Sequence, residues 1–423
     1  MNDELDLSDF DLPPGTTPQV ASTAGGLRRQ RSLEETQAWL LPKLRRVPIT
    51  RLADIAPLDA LGLQVCIAVT PFALDVKTHG SRGLSKLEAR VGAIMEAIER
   101  VSAESCHRPP KRRGSYVDLR AAAEFPVVDP GDLGLPFDTE YAPTRELGWV
   151  LGFDLIGRTK IWVPEDFVVA VARDGVSRGV ETNGLASGNT LLEATLHALY
   201  EVIERDATSL HIFSDTFCKP EDTNASPVRM LDLSTLPEPA KVWVAKAESE
   251  GLSVGIRDIT SDLGIATFEA RMIDPAVPVD GQYEELYFKG YGTCLDPQRA
   301  VMSAMMEALQ SRIGFTQGSR DVYEGLEPRE ANSSRKMREL LCDQPEEWFP
   351  FPAAPTSLPK DAAEELWQVV SRLSERGFQR CVVADLTRPD LDVPVVRVLV
   401  PGMAWPYAES LKRPGIRLLQ RLY

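Results

Sequence analysis

The chain has 423 residues, 43% hydrophobic and 26% charged, the proportions of a soluble globular protein large enough for one sizeable domain or two average ones. Its 62 acidic residues outnumber 47 Lys and Arg, a formal charge of -15. That excludes a broad electrostatic grip on nucleic acid or an anionic membrane, while leaving room for a small basic pocket for a phosphorylated ligand.

Residues 1 to 32 read as a disordered acidic tail. Asp3, Glu4, Asp6, Asp9 and Asp11 crowd its start, and PPGTTPQVASTAGG follows without periodicity. Such a composition buries too little to offset the entropy of ordering. The spacing of Leu5, Leu7, Phe10 and Leu12 offers a second reading, a partner-binding peptide. An acidic start is not a secretory signal, and no run approaches the roughly 20 apolar residues of a membrane span.

From residue 33 the chain reads as globular. Ser32 and Glu35 stand at capping-box spacing ahead of a helix in SLEETQAWLLPKLRR. Strand-like runs follow at 61–71, 159–172, 251–259, 264–273 and 392–401, and helices are expected over 85–105, 190–210, 297–313 and 361–376. This interleaving predicts a mixed α/β (α+β) fold over residues 33–423, in three parts: 33–117, 118–330 and 331–423. The polar, proline-bearing stretch from 317 to 360 is expected to cross the surface. Trp149, Trp162 and Trp367 read as core, His79 as a surface-turn residue and His197 as a packed or capped histidine. The six cysteines (Cys66, Cys106, Cys218, Cys294, Cys342, Cys381) include no C-x-x-C pair, so neither a disulfide framework nor a zinc knuckle is expected, and the compartment reads as a reducing cytoplasm.

Three of the expected helices repeat one frame. Ala89, Ala93, Glu96 and Glu99 follow steps of four, three and three, as do Ala194, Ala198, Glu201 and Glu204, and again Ala300, Ala304, Glu307 and Gln310. Those steps hold one face of an α-helix. Each helix follows a glycine-bearing stretch (HGSRG, NGLASGN, GYGTC) and carries an arginine just past the frame: Arg100, Arg205 and Arg312. The alanines let another backbone, or a ligand, come close. Carboxylates between apolar flanks leave water and need cations, so five glutamates and a glutamine suit an oxygen cage for Mg²⁺ and a nucleotide. Solvated helix faces with charge decoration are the alternative.

The segments HGSRGLSKLEARVGAIMEAIERVSAE, ETNGLASGNTLLEATLHALYEVIERDA and GYGTCLDPQRAVMSAMMEALQSR resemble the three signature blocks of the YcaO family, and CVVADLTRPDLDVPVVRVLVPG resembles its C-terminal strand block. The resemblance runs from about residue 33 to the end. It implies repeated strand–helix units around a central ATP cleft, ATP and Mg²⁺ as cofactors, a homodimer, and O-phosphorylation of a backbone amide on a precursor peptide or protein. It implies Glu96, Glu99, Glu201, Glu204 and Glu307 as metal-site acids. It implies Arg82, Asn183, Glu193, Arg205, Gln310 and Arg312 as nucleotide-site residues. Arginine would serve there because its planar fork donates paired hydrogen bonds to phosphate.

Departures from the family pattern narrow the expectation. Ser81, Arg82 and Gly83 stand where the family often has Gly-Lys-Gly, and Gly92 where it has a serine. The chain ends RPGIRLLQRLY, without the Pro-x-Pro-x-Pro of azoline-forming members, and shows no fused leader-binding domain of the ThiF-like sort. With its lead-in ITRLADIAPLDALGLQVCIAVTP, it looks more like members that form backbone thioamides beside a TfuA-like partner. An azoline cyclodehydratase acting on Cys, Ser or Thr is the enzyme alternative, and a non-catalytic scaffold of a modification complex is the other. No P-loop motif occurs, and GVSRG (175–179) lacks the helix that a nucleophile elbow needs.

Overall fold

The computed structural model describes residues 5–10, 29–104, 110–177, 182–218, 229–273, 287–317, 347–353, 355, 357–405 and 412–422. Three strand–helix units carry the repeated frame: β3 (Thr78–Gly83) leads into α2 (Lys86–Ser102), β7 (Leu185–Ser187) into α4 (Leu191–Phe217), and β11 (Tyr287–Cys294) into α6 (Pro297–Gln317). Local chemistry starts each helix. The side chains of Ser85 and Thr190 accept the N–H groups of Glu88 and Glu193, and α6 begins on Pro297, whose missing N–H would have had no helical partner.

Each of these strands lies at the edge of a sheet. β3 ends the order β1-β2-β3, with β1 (Arg51–Asp54) and β2 (Gln64–Val69). β11 ends the order β11-β10-β9-β8, with β8 (Arg229–Met230), β9 (Ser253–Asp258) and β10 (Ala266–Ile273). β7 ends the order β4-β5-β12-β13-β7, with β4 (Arg112–Ser115), β5 (Glu146–Asp154), β12 (Val382–Asp385) and β13 (Val395–Leu399); β6 (Thr159–Pro164) pairs with β5. All these ladders are antiparallel. The third sheet draws strands from all three expected parts of the chain, which are therefore joined by shared hydrogen bonds. One hydrophobic cluster packs α2 (Ile94, Ile98) against this sheet (Trp149, Val395), and the other packs α4 and α6 (Leu199, Ile203, Met305, Leu309) with Phe268 of β10.

The alanine stripe admits a strand, which corrects the expectation that it opens room for a ligand. Ala89, Ala93, Ala194, Ala198, Ala300 and Ala304 are all buried. A Cβ at Gly290 would lie 2.2 Å from Ala304 O and Ala308 N, and one at Gly292 2.1 Å from Ala300 O, so α6 rests backbone against backbone on β11. On α2, a Cβ at Gly92 would meet Ser81 Oγ at 2.0 Å.

Other expectations shift in extent. The strand-like run at 159–172 ends at Pro164, where Glu165–Phe167 form a 3₁₀ turn. Asp166 then accepts the N–H groups of Arg173 (2.7 Å), Asp174 (3.0 Å) and Val176 (2.8 Å), holding the segment as a closed loop instead of a ladder. Residues 5–10 are not a solvated tail. Asp6 and Asp9 cap one 3₁₀ turn, and the fully buried Phe10 stacks on Phe153 with centroids 5.9 Å apart while its carbonyl accepts from Trp367 Nε1 at 3.3 Å. Residues 11–28, 318–346, Cys106 and Cys342 lie outside the described residues. Among the described residues no helix is long and apolar enough to cross a membrane, and the cysteines are free thiols.

Candidate active site

The glutamates of the frame feel one another across three helices. Burial raises the Glu99 carboxyl well above its usual range, helped by the charges of Glu96 on its own helix and Glu201 on α4. Burial also raises Glu204, and the charges of Glu307 on α6 and Glu201 add to it. Glu201 is common to both groups. Its own carboxyl is raised by burial against the opposing pull of Arg205, Arg397 and Arg100 and the N–H of Gly184. Like charges gathered in a desolvated space favour protonation unless a cation joins them.

Basic and amide groups border the acids. Arg82 on β3 donates Nη1 to Gln310 Oε1 at 2.6 Å and pairs through Nη2 with Glu307 Oε2 at 3.3 Å, while Gln310 Nε2 donates to Gly80 O at 2.9 Å. The edge of β3 is thereby laced to the frame of α6. Arg205 pairs with Glu201 at 3.9 Å, and Ser187 N donates to Glu99 Oε2 at 2.9 Å, tying the end of β7 to α2. Asn183 is buried one residue before Gly184, and its side-chain carbonyl has no hydrogen-bond partner. A buried acceptor without a donor is costly and points to a ligand that supplies one.

Two expected residues have other partners. Arg312 is bound to Asp59, whose carboxylate is almost fully buried. Glu193 accepts from Asn189 N and Nδ2, both at 3.0 Å, and from Gln30 N, so it stitches residue 30 to the start of α4. Arg100 pairs with Asp75 at 2.7 Å. Among the described residues no three Asp, Glu, His or Cys side chains already stand in a metal-holding arrangement. The donor set is nonetheless all oxygen, as Mg²⁺ requires.

Both histidine expectations are corrected. His79 is fully buried, with Nε2 2.6 Å from Thr70 Oγ1, and burial, with the charge of Arg100, brings its pKa to about 4. His197 is exposed on the frame side of α4. Cys294 is buried and its thiol is pushed up to about 12 by burial, so it is no nucleophile; Cys218 donates to Arg421 O at 3.3 Å. Sequence reasoning missed Asp59, Asp75 and Ser187, which sit in loops or at a strand end where periodicity is silent. It also missed Arg397, buried in β13 with Nε donating to Phe167 O at 3.1 Å. An arginine within the apolar run VPVVRVLVP was the available signal.

Comparison with known proteins gives this arrangement its class. The profile of the family described as YcaO cyclodehydratase, ATP- and Mg²⁺-binding, matches residues 80–404. An uncharacterised protein of Methanothermobacter thermautotrophicus is 32% identical over 378 residues, covering 85% of this chain and 91% of its own. A protein encoded in the tfuA 3' region of Rhizobium leguminosarum bv. trifolii is 30% identical over 395 residues, covering 92% and 91%. In fold, the chain is similar to the YcaO protein of Methanopyrus kandleri bound with AMPPCP and Mg²⁺ (TM-score 0.71, 23% identity, 94% of this chain and 98% of that one). It is also similar to a heterocyclase in complex with substrate and cofactor (TM-score 0.72, 20% identity, 92% and 55%). The chain belongs to the YcaO family of ATP- and Mg²⁺-dependent amide-activating enzymes.

Proposed function

We propose that this enzyme phosphorylates the oxygen of a backbone amide in a peptide or protein and that the product is a thioamide formed with a sulfide donor. The observation that carries the activation step is the mutual approach of Glu96, Glu99, Glu201, Glu204 and Glu307 from three helices, bordered by Arg82 and Arg205. In this reading those five glutamates hold Mg²⁺, and Arg82, Asn183, Arg205 and Gln310 hold the nucleotide. Glu193 and Arg312 join the site only by exchanging Asn189 and Asp59 for it. ATP supplies the phosphoryl group when bound, and Mg²⁺ neutralises the charge on it. The chain's own part is to position the acceptor, exclude water and keep acids and arginines preorganised around the transferred group.

The relative encoded beside tfuA supports the thioamide reading and a TfuA-like partner, and we propose that the enzyme acts as a homodimer on a separately captured substrate. Calorimetry with AMPPCP and Mg²⁺ tests the site. The wild type is expected to bind, and Glu201→Gln, which keeps size and removes one charge, to bind at least ~10-fold more weakly. Equal binding by both removes the cage. Co-expression with a TfuA-like protein and a candidate precursor, read by mass spectrometry, tests the product: exchange of one oxygen for sulfur supports thioamide formation. Loss of one water at a Cys, Ser or Thr replaces it with azoline formation.

A further inference from the structure

His197 has no part in the site described so far, yet the fold gives it an unusual place. Glu193, His197, Glu201 and Glu204 follow steps of four, four and three, so they share one face of α4. Of residues 191–210, His197 is the only exposed one; its neighbours Leu196 and Ala198 are buried. The space above it is therefore open to solvent in the middle of an otherwise covered helix. Among the described residues its imidazole makes no hydrogen bond, whereas His79 and His211 both have polar partners.

The surroundings specify what fits. Gln30 N donates to Glu193, one turn before His197, which brings residues 29–31 alongside this face. Arg82 approaches from β3, held by Gln310 and Glu307. Solvent reaches the ring, but the protein packed around it desolvates a charge there, and this, followed by the charges of Arg29 and then Arg82, lowers the His197 pKa to about 4, so the ring is neutral at physiological pH and keeps one N–H to give. A neutral donor between arginines and glutamates can bond an anionic oxygen without adding to the charge that the arginines already supply.

We propose that His197 is a direct contact of the bound nucleotide's phosphate chain, its ring N–H donating to a phosphate oxygen one helical turn from the metal-holding glutamates. This assignment rests on the nucleotide site proposed above. It separates the α4 face into a metal end at Glu201 and Glu204 and a phosphate-donor position at His197.

The test is carbethoxylation of the full chain with diethyl pyrocarbonate, mapped residue by residue by mass spectrometry, with calorimetry on the same samples. His197 is expected to react in the ligand-free protein. Saturating AMPPCP with Mg²⁺, or pyrophosphate with Mg²⁺, is expected to protect it at least ~10-fold, and adenosine alone is expected not to. His197→Ala is expected to bind AMPPCP–Mg²⁺ ~10-fold more weakly, and His197→Gln, which retains an N–H donor, to recover most of that loss. Unchanged reactivity at calorimetric saturation overturns the His197 contact and leaves the nucleotide site standing. Protection by adenosine alone places the nucleoside there and overturns the phosphate assignment. Failure of wild-type protein to bind AMPPCP–Mg²⁺ overturns the site and this contact together.

Discussion

At the scale of single residues, the glutamates lower the stability of the ligand-free protein at neutral pH. A carboxyl whose pKa is raised on folding binds its proton more tightly in the folded state than in the unfolded one. Its favourable contribution is complete below the ordinary value of 4.5 and is lost as pH rises through the folded pKa. Glu204→Gln is therefore expected to be more stable than the wild type at neutral pH without metal, by about 1 kcal/mol or more, and no more stable at low pH. Chemical denaturation of both proteins from about pH 4 to pH 8, with and without Mg²⁺, checks this. Mg²⁺ should raise the wild type more than the variant. An equal pH dependence for the two would remove the electrostatic account. The acids were legible in the sequence because α-helical periodicity repeats them on a face. Asp59 and Asp75, which pair with Arg312 and Arg100, were not, because a loop carries no period to read.

At the scale of elements, small residues decide where the acids stand. Gly290 and Gly292 let β11 touch the backbone of α6, and Gly92 lets α2 close over Ser81. Gly290→Ala would force a methyl against Ala304 O and Ala308 N at 2.2 Å, where nothing flexible can yield. It is expected to cost about 1–3 kcal/mol and, by lifting α6, to weaken nucleotide binding through displaced Glu307 and Gln310. Gly314, inside the same helix with nothing within 4 Å of a Cβ, is the contrast: Gly314→Ala should stabilise by about 0.5–1 kcal/mol with binding intact. Thermal melts and calorimetry on the two variants separate these outcomes, and a silent Gly290→Ala would show that the close approach is not required. The glycine stretches before each helix were visible in the sequence. That they serve backbone packing was not, because whether a small residue meets a ligand or a strand depends on what the chain later brings against it.

At the scale of the molecule, segments near both ends of the described chain are fastened to α4, which carries part of the candidate site. Arg417, in the short helix Ile416–Leu419, gives three hydrogen bonds of 2.8–3.1 Å to Asp206, which is fully buried on α4 two residues after Glu204. Ala404 N donates to the same carboxylate at 2.8 Å. Arg417→Ala would leave a buried charge without its partner and is expected to cost about 3–5 kcal/mol, with Arg417→Lys recovering part of it in equilibrium unfolding. The fastening of Phe10 under Trp367 and of Gln30 to Glu193 lies at the other end. The sequence by itself determined the three helices, their acid faces, the mixed fold and the family. Each of these follows from spacing along the chain or from similarity of contiguous blocks. Only the tertiary structure decided that the alanines face strands, that Arg312 and Glu193 have protein partners, that Phe10 is core and that His197 opens to solvent. Those outcomes depend on contacts between residues far apart in the chain, and periodicity within one segment holds no record of what packs against it.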